Sequence, residues 1–298
     1  MNLRELAWPL RMYWDLPGTS PDPGRCLKVC DELVEIKILF LSLRAGAAAS
    51  QCCMDILDRL KGRNIGLSIT VSDPAMLAST FDQVEDTSVK TLLAETSSLH
   101  DVRSLIGLTP RKEKEYLPFG ISFEVTQENF REIPDVVSCC VQNGIRDLLF
   151  PIQRLERRNG VFCISGKDRK EISRGLKGLD HSRLRLTIHD PFLWEVFYPD
   201  ADYHEGGCQA SNSMLYISPL YKVRPCPAMP VELGDLHETS LREIILSGEK
   251  KHLRSLLLSP PGECAVCERV EKCLGGCRGR AYAMTGSLDR PDPACSKS

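Results

Sequence analysis

Short apolar runs recur through residues 1–190 at intervals of roughly 25 residues, a spacing typical of βα units. Runs of this length that are rich in Leu, Ile and Val indicate buried strands. Between them, residues 51–62 and 130–144 have the apolar period of amphipathic helices. Six or seven such units in series, joined by right-handed crossovers, predict an α/β fold with a partial (β/α) barrel. The predicted strands are residues 10–16, 36–43, 65–72, 89–96, 120–126, 145–151 and 183–190.

The pattern changes after Asp190, where an aromatic stretch leads into short segments rich in proline and cysteine. One longer helix is predicted over residues 240–258, with Ser240 as its N-cap. Because this region has little apolar material for a core of its own, we expect something inorganic to organise it. The sequence therefore predicts two domains, residues 1–190 and 191–298. The predicted apolar face of the helix comprises Leu241, Ile244, Ile245, Leu253, Leu256 and Leu257.

Composition excludes several classes of partner. The chain has 298 residues, a formal net charge of −2, 42% hydrophobic and 26% charged residues. This balance gives no reason to expect nucleic acid or a membrane surface as a partner. The amino terminus lacks the pattern of a signal peptide, and the longest apolar runs are far shorter than a membrane span. We expect a cytoplasmic protein.

One stretch departs from this neutral balance. Residues 153–185 carry ten Lys or Arg residues against four Asp or Glu residues. The ordinary interpretation is a solvated helix and loop on the outside of the barrel, and the alternative is a docking face for an acidic peptide or partner.

Fourteen cysteines require an explanation in such a protein, because the cytosol keeps thiols reduced. Buried apolar packing explains Cys52, Cys53, Cys139, Cys140 and Cys163. The carboxy-terminal set fits soft-metal binding, either zinc or iron–sulfur clusters. One four-cysteine zinc site would leave three of its thiols over, whereas two four-iron clusters have eight ligand positions. That set comprises Cys208, Cys226, Cys264, Cys267, Cys273, Cys277 and Cys295.

The spacing of these seven cysteines resembles the SPASM domain, the twin-cluster extension of many radical SAM peptide-maturation enzymes. Residues 273–295, "CLGGCRGRAYAMTGSLDRPDPAC", are similar to the GGCR…Y…TG…DP.C stretch of that family. Residues 214–229 resemble its Ile-x-Pro…x-Pro-Cys hairpin. One departure is Tyr221, which stands where the family usually has glycine.

The resemblance implies two 4Fe-4S clusters. Some family members have an additional cysteine at the position of Asp202, so Asp202 or His204 is a possible fourth ligand for the second cluster, whose remaining iron is otherwise open or water-bound. Gly275 and Gly276 are expected to let the backbone approach a cluster and donate N–H groups to its sulfides. The cluster with four protein thiolates would be held by Cys264, Cys267, Cys273 and Cys295, and the cluster with three by Cys208, Cys226 and Cys277.

The predicted barrel resembles a radical SAM core, but its SAM site is incomplete. The family supplies C-x3-C-x2-C after the first strand, whereas here Cys26 and Cys30 are followed by Leu33 at the third position. Helical periodicity of residues 24–38 would also place the two cysteines one turn apart on a helix. The family's GGE-type turn is replaced by Arg44-Ala45-Gly46, without a carboxylate. No SAM binding is expected.

Polar residues at the carboxyl ends of the predicted strands could line a remnant peptide groove, or act individually as helix caps and loop residues. They are Asp15, Asp73, Glu95, Glu124, His189 and Asp190.

The sequence resembles the SPASM-domain companion of Geobacter-type radical SAM peptide-modification systems. The resemblance implies an iron–sulfur accessory protein that docks on a radical SAM/SPASM enzyme, or on its ribosomal peptide substrate, and relays electrons. Two alternatives stay open. The first is an enzyme that uses an open cluster iron as a substrate-binding or redox site. The second is a zinc-stabilised binding module.

Overall fold

The structure is a computed structural model that describes residues 6–19, 22–73, 77, 80, 84, 89–108, 119–155, 160–200 and 207–295. The strands are β1 (Arg11–Asp15), β2 (Phe40–Ala45), β3 (Gly66–Val71), β4 (Val89–Thr96), β5 (Phe119–Phe123), β6 (Asp147–Phe150), β7 (Arg185–Ile188), β8 (Met214–Ile217), β9 (Lys222–Arg224) and β10 (Gly234–Asp235). The helices are α1 (Pro23–Glu35), α2 (Ser50–Leu60), α3 (Leu99–Leu108), α4 (Ile133–Gln142), α5 (Gly166–Leu176), α6 (Pro191–Phe197), α7 (Leu241–Leu246), α8 (Gly248–Leu258), α9 (Val270–Cys273) and α10 (Arg278–Thr285). No helix of the described part combines the length and the apolar character needed to cross a bilayer.

The strands form one ten-stranded sheet in the order β10-β9-β8-β1-β2-β3-β4-β5-β6-β7. Pairing is parallel from β8 through β7, and β9 and β10 add an antiparallel margin. This confirms the α/β class with a partial barrel, and all seven predicted strands exist. The predicted second strand begins four residues too early, because Ile36 closes α1 by donating its N–H to the carbonyl of Glu32.

The two faces of the parallel strands differ in chemistry. Side chains such as Met12, Trp14 and Leu43 are at most 1% exposed within the hydrophobic core. Alternate residues point to the other face, since successive side chains of a strand lie on opposite sides. Parallel strands that are apolar on both faces are the usual case, so this alternation marks a concave interior that is not a packed core. The polar residues that line the interior cavity include Tyr13, Ser42, Arg44, Ser68, Thr70, Ser122 and Thr187.

The carboxy-terminal region extends the same sheet. β8 pairs in parallel with β1, and Leu215, Ile217 and Val223 are buried in the same hydrophobic cluster as the barrel strands. The region therefore shares the apolar core of the barrel. The division into domains of residues 1–190 and 191–298 stays a prediction. The sheet is continuous across the predicted boundary.

The predicted single helix over residues 240–258 is wrong in one respect. Ser247 adopts an extended backbone, with φ of −61° and ψ of 156°, and divides the segment into α7 and α8. Its hydroxyl accepts a hydrogen bond from the N–H of Lys250, so it begins the second helix as an N-cap. Ser240 caps α7 as predicted, within a capping box with Glu243. The break changes the helical face, and Leu256 is 44% exposed instead of buried.

Cys26 and Cys30 lie on α1, as the helical periodicity predicts, and both are fully buried. Leu33 completes the same buried face. Cys26 forms a disulfide with Cys52 of α2, a pairing that the expectation of separate buried thiols did not include. The face of α1 that carries both cysteines is therefore turned into the core.

Candidate metal centres

The first group of thiols, Cys208, Cys226 and Cys277, converges from three separate segments. Cys208 precedes β8, Cys226 follows β9, and Cys277 is the N-cap of α10, where its Sγ accepts a hydrogen bond from the N–H of Arg280 at 3.4 Å. Burial raises the pKa of Cys226 well above its usual value, and the neighbouring Cys208 and Cys277 raise it further. Burial raises the pKa of Cys277 to about 12, and Cys208 lies within its electrostatic range.

The second group consists of four thiols between residues 264 and 295, and these thiols are less buried than those of the first group. Cys264 ends a short 3₁₀ turn, Cys267 follows it, Cys273 ends α9, and Cys295 lies after the final turn. Burial raises the pKa of Cys264, and the neighbouring Cys273, Cys295 and Cys267 add to this effect. All four thiols are half-buried. The fold therefore brings these four together as a second group.

A left-handed turn connects the two groups between Cys273 and Cys277. Leu274, Gly275 and Gly276 all have positive φ, of 47°, 89° and 71°. The expected role of the glycines is corrected here in part. The N–H of Gly276 donates to the carbonyl of Cys273 at 2.9 Å, and a Cβ at Gly276 would meet the Cβ of Asp292 at 2.6 Å. Close approach to protein atoms is thus one reason for glycine here.

Substitution of Gly276 by Ala tests this crowding. We expect a loss of about 1–2 kcal/mol from the left-handed backbone and a further loss of about 1–3 kcal/mol from the displaced Asp292. Gly286→Ala is the matched control, because Gly286 has φ of 75° but a Cβ added there would meet nothing within 4 Å. Urea unfolding under anaerobic conditions gives both values, and equal losses in the two variants would contradict the crowding argument.

Arg280 anchors this region to the barrel through buried charges. Its side chain is 2% exposed and forms a bidentate pair with Asp292, with both N–O distances 2.7 Å. It also pairs with Asp190, whose carboxylate caps α6 by accepting from the N–H groups of Phe192 and Leu193. Asp292 in turn accepts a hydrogen bond from the N–H of Cys277 at 2.7 Å. One guanidinium therefore joins the end of β7 to the backbone beside a thiol of the first group.

A cavity of about 550 Å³ lies at the opening between the first and last parts of the barrel. Its walls come from β1, from β7 and from the segment that leads into β8. The three thiols of the first group face this cavity together with Cys273, so the two groups adjoin. Tyr13 and His189 complete the wall on the barrel side.

A second cavity, of about 250 Å³, occupies the concave barrel interior and shares Arg11, Tyr13, Thr187 and His189 with the first. Serine and threonine hydroxyls line it along β2 to β7. The hydroxyl of Ser122, a residue that is 1% exposed, has no hydrogen-bond partner among the described residues. The interior is therefore suited to a polar ligand or water. The cations in its lining are Arg11, Arg44, Lys90, Arg154 and Arg185.

Ion pairs occupy the carboxyl end of this interior. Arg154 donates bidentately to Asp15, one N–O distance being 3.0 Å, and lies 3.9 Å from Glu95. Arg44 pairs with Glu95 at 2.6 Å. Tyr216 donates its hydroxyl to Asp15 at 3.2 Å, and burial together with the Asp15 charge raises the pKa of this phenol. Arg44, which stands where the resembled family has its GGE-type motif, is thus part of a charge network.

The six polar residues at the strand ends do not form one groove. Asp15 and Glu95 meet through Arg154, Asp190 is a helix cap, and His189 faces the thiol cavity. Glu124, His189 and Asp190 together line a smaller cavity that Cys277 also lines, and Asp73 follows β3. The two possible ligands at positions 202 and 204 lie outside the described residues.

Sequence reasoning missed three residues of this region, Arg154, Tyr216 and Arg280. Each acts on a partner far away in the chain, the separations being 139, 201 and 90 positions. The basic stretch 153–185 contained Arg154, but periodicity gives no signal for which member of a charged stretch turns inward. The GGCR motif contained only the neighbouring Arg278.

The donor set fits iron–sulfur clusters. Thiolates are the soft ligands that such clusters use, and the two groups provide three and four of them. No three His, Cys, Asp or Glu side chains in the described ranges converge at the short spacing of a single ion. A single zinc holds its sulfurs about 2.3 Å from the metal, whereas a cluster spreads its ligands over several irons. Seven thiols in groups of three and four fit the ligand positions of two four-iron clusters, whereas one zinc site would use four of them.

Solved structures show what class of protein has this fold. Streptococcus suis SuiB bound to S-adenosylmethionine superposes with a TM-score of 0.70 at 14% identity, over 98% of this chain and 78% of that one. Native anSMEcpe with bound AdoMet and Cp18Cys peptide gives a TM-score of 0.64 at 14% identity, over 96% of this chain and 94% of that one. The chain has the fold of radical SAM enzymes.

Curated relatives come from the same class. The AdoMet-dependent heme synthase of Nitratidesulfovibrio vulgaris is 34% identical over 204 residues, which are 60% of this chain and 54% of that protein. The PqqA peptide cyclase of Ruegeria pomeroyi is 25% identical over 192 residues, 61% and 50% of the two chains. The matched region thus spans about half the length of these relatives. No family model matches the chain.

Proposed function

We propose that this protein is an iron–sulfur accessory protein of a radical SAM peptide-modification system, without a SAM-cleaving site of its own. One observation carries the proposal. The two thiols that stand in place of the SAM-cluster motif, Cys26 and Cys30, are buried on α1, and Cys26 is bonded to Cys52. The seven carboxy-terminal thiols meanwhile gather into two groups.

The charge network at the carboxyl end of the barrel supports the same proposal. In the family that the sequence resembles, the loop after the first strand supplies the ligands of the SAM-binding cluster, and here Asp15, the last residue of β1, is engaged by Arg154 and Tyr216. Arg44 lies at the end of β2, in place of the carboxylate that would receive the amino group of SAM in the family the sequence resembles, and it is paired with Glu95. The clusters, when bound, would supply one-electron transfer, with potentials that depend on their ligands and exposure.

The surface proposed for peptide docking is a rim of the barrel that combines basic and exposed apolar side chains. It consists of Leu10, Arg11, Leu39, Phe40 and Lys90, at the amino ends of β1, β2 and β4. Leu10, Leu39 and Phe40 are 40–46% exposed, which is unusual for large apolar side chains. Arg11 and Lys90 have no carboxylate partner among the described residues, and both line the barrel cavity. A peptide that alternates acidic and apolar residues complements this surface.

Peptide binding gives a direct measurement. A fluorescein-labelled Glu/Leu peptide is expected to bind the iron-loaded protein, and the Arg11→Glu/Lys90→Glu variant to bind it about tenfold more weakly, or ~1.4 kcal/mol. High salt should reduce the difference, because exposed charges are screened. Lys28→Glu, on the exposed side of α1, is the matched control. Equal binding by a Gln/Leu peptide would contradict the docking proposal.

The accessory role itself is tested by incubating anaerobically purified protein with SAM, a peptide and dithionite. We expect bound iron and sulfide but no 5′-deoxyadenosine, together with complex formation when a radical SAM/SPASM enzyme is added. Production of 5′-deoxyadenosine by this chain alone would overturn the proposal. Peptide turnover by this chain alone, without 5′-deoxyadenosine, would favour an enzyme that uses an open iron.

A further inference from the structure

The outer edge of β7 is an open margin of the sheet. β7 ends the strand order and pairs with β6 alone among the described strands. The backbone N–H groups of Arg185 and His189 donate to β6, so the N–H and C=O groups of Leu186 and Ile188 point away from it, as the alternation of a parallel ladder requires. No hydrogen bond reaches these outward groups from the described part of the chain. β7 therefore presents unpaired backbone donors and acceptors.

The opposite margin of the sheet is closed. β10 has only two residues, and the carbonyl of Asp235 at its end accepts from the N–H groups of Glu238 and Thr239. Gly234 lies against α7, where an added Cβ would meet the Cγ1 of Ile244 at 2.6 Å. Covering and local bonding of this kind protect a sheet edge from pairing with a further strand. Of the two margins of the described sheet, β7 is thus the one that can accept a strand.

The edge of β7 opens onto the cavity of about 550 Å³ that the three thiols face. Leu186, Thr187 and Ile188 all line this cavity, and the segment leading into β8, which carries Cys208, forms another of its walls. A volume of this size lies within the range of pockets that enclose ligands. An extended chain beside β7, at the usual strand separation of about 4.7–4.9 Å, would therefore lie in this cavity and border the three-thiol group.

The two faces of β7 favour a peptide of alternating character. Arg185 and Thr187 line the polar barrel interior, whereas Ile188 is buried in the apolar core and Leu186 packs against that core on the other face. Side chains of an added strand follow the same alternation. Arg11 lines both cavities and has no carboxylate partner among the described residues, and the described lining beside β7 contains no Asp or Glu. Acidic side chains therefore suit the interior face, and apolar side chains suit the other.

We propose that an extended peptide that alternates acidic and apolar residues binds this protein by adding a strand to the outer edge of β7. This inference rests on the docking part of the proposed function and specifies the binding mode of the peptide. Arg11 belongs to the docking rim and also lines the cavity beside β7, so one peptide can engage both surfaces. Main-chain hydrogen bonds to Leu186 and Ile188 supply affinity, and the alternating side chains supply specificity.

N-methylated peptides test the proposal without any change to the protein. The fluorescein-labelled Glu/Leu peptide is prepared with N-methyl groups on all of its leucines or on all of its glutamates, and binding to the iron-loaded protein is measured by fluorescence anisotropy. A strand at one edge directs its N–H groups alternately towards and away from β7. We therefore expect one methylated peptide to bind at least about tenfold more weakly, and the other to bind within about twofold of the unmodified peptide. Loss with methylated leucines indicates an antiparallel strand, and loss with methylated glutamates a parallel one.

Two variants of β7 provide the complementary test. Leu186→Pro removes an outward N–H that is not part of the ladder to β6, and proline is tolerated at such edge positions. We expect it to bind the unmodified peptide about fivefold more weakly than Leu186→Ala, the matched control that retains the N–H.

Equal binding of the two methylated peptides would overturn strand addition, and this result does not depend on the folding of any variant. Equal binding by folded Leu186→Pro and Leu186→Ala would overturn it as well. Failure of the unmodified peptide to bind the wild-type protein would overturn the docking part of the proposed function and this inference with it.

Discussion

Cys226→Ala and Cys273→Ala should each remove one cluster and spare the other. Two four-iron clusters correspond to about eight irons per chain, so each variant is expected to retain about four. The reason is the grouping of the thiols. Cys226 has Cys208 and Cys277 as electrostatic neighbours, whereas Cys264 has Cys267, Cys273 and Cys295. Each substitution therefore removes a ligand from one group alone.

Iron and sulfide analysis combined with Mössbauer spectroscopy measures this. The spectra of the two variants should be complementary and should sum to the wild-type spectrum. Cys139→Ala is the control, because this half-buried thiol on α4 belongs to neither group and should leave eight irons in place, within about one. Loss of all iron from both variants would indicate a single shared centre, and a colourless wild type would indicate zinc.

Arg280→Ala should be the most destabilising change outside the cysteines. It leaves Asp292, which is fully buried, without its bidentate partner, and deprives Asp190 of its ion pair. Removing one partner of a buried pair costs about 3–5 kcal/mol, since an uncompensated charge remains in a medium of low polarity. Because Asp292 also holds the N–H of Cys277, we expect faster loss of iron from the three-thiol group as well.

Arg290→Ala provides the comparison within the same segment. Arg290 pairs with Glu263, but the two side chains are 58% and 52% exposed. Exposed pairs contribute about 0–1 kcal/mol, because water solvates the separated charges. Urea unfolding of both iron-loaded variants, followed by tryptophan fluorescence, measures the difference. A loss below about 1 kcal/mol in Arg280→Ala would mean that water reaches Asp292, contrary to its burial.

Tyr221 illustrates how a departure from a sequence pattern is accommodated. The resemblance expects glycine here, and the backbone retains the conformation that favours glycine, with φ of 60°. The left-handed backbone costs about 1–2 kcal/mol for a residue with a Cβ. The ring is 5% exposed, and its hydroxyl lies 3.3 Å from the Sγ of Cys26, so burial of the ring offsets the strain. The pattern of strand residues alone does not show that burial of a ring offsets the strain of the left-handed backbone.

The sequence by itself determined the seven barrel strands, the helices α2 and α4, the N-cap at Ser240 and the helical placement of Cys26 and Cys30. These features depend on local periodicity and local hydrogen bonds, which a short window of residues contains. It also marked the seven carboxy-terminal cysteines, because their spacing is itself the signal.

Only the tertiary structure decided what joins distant segments. The addition of β8 to the margin of β1, the disulfide of Cys26 with Cys52, and the pairing of Arg280 with Asp190 and Asp292 all depend on which surfaces meet in the folded chain. The cavity that His189 and the three thiols line together has the same origin. Some of these contacts join residues more than a hundred positions apart in the sequence. Local periodicity and residue spacing cannot indicate which distant segments meet.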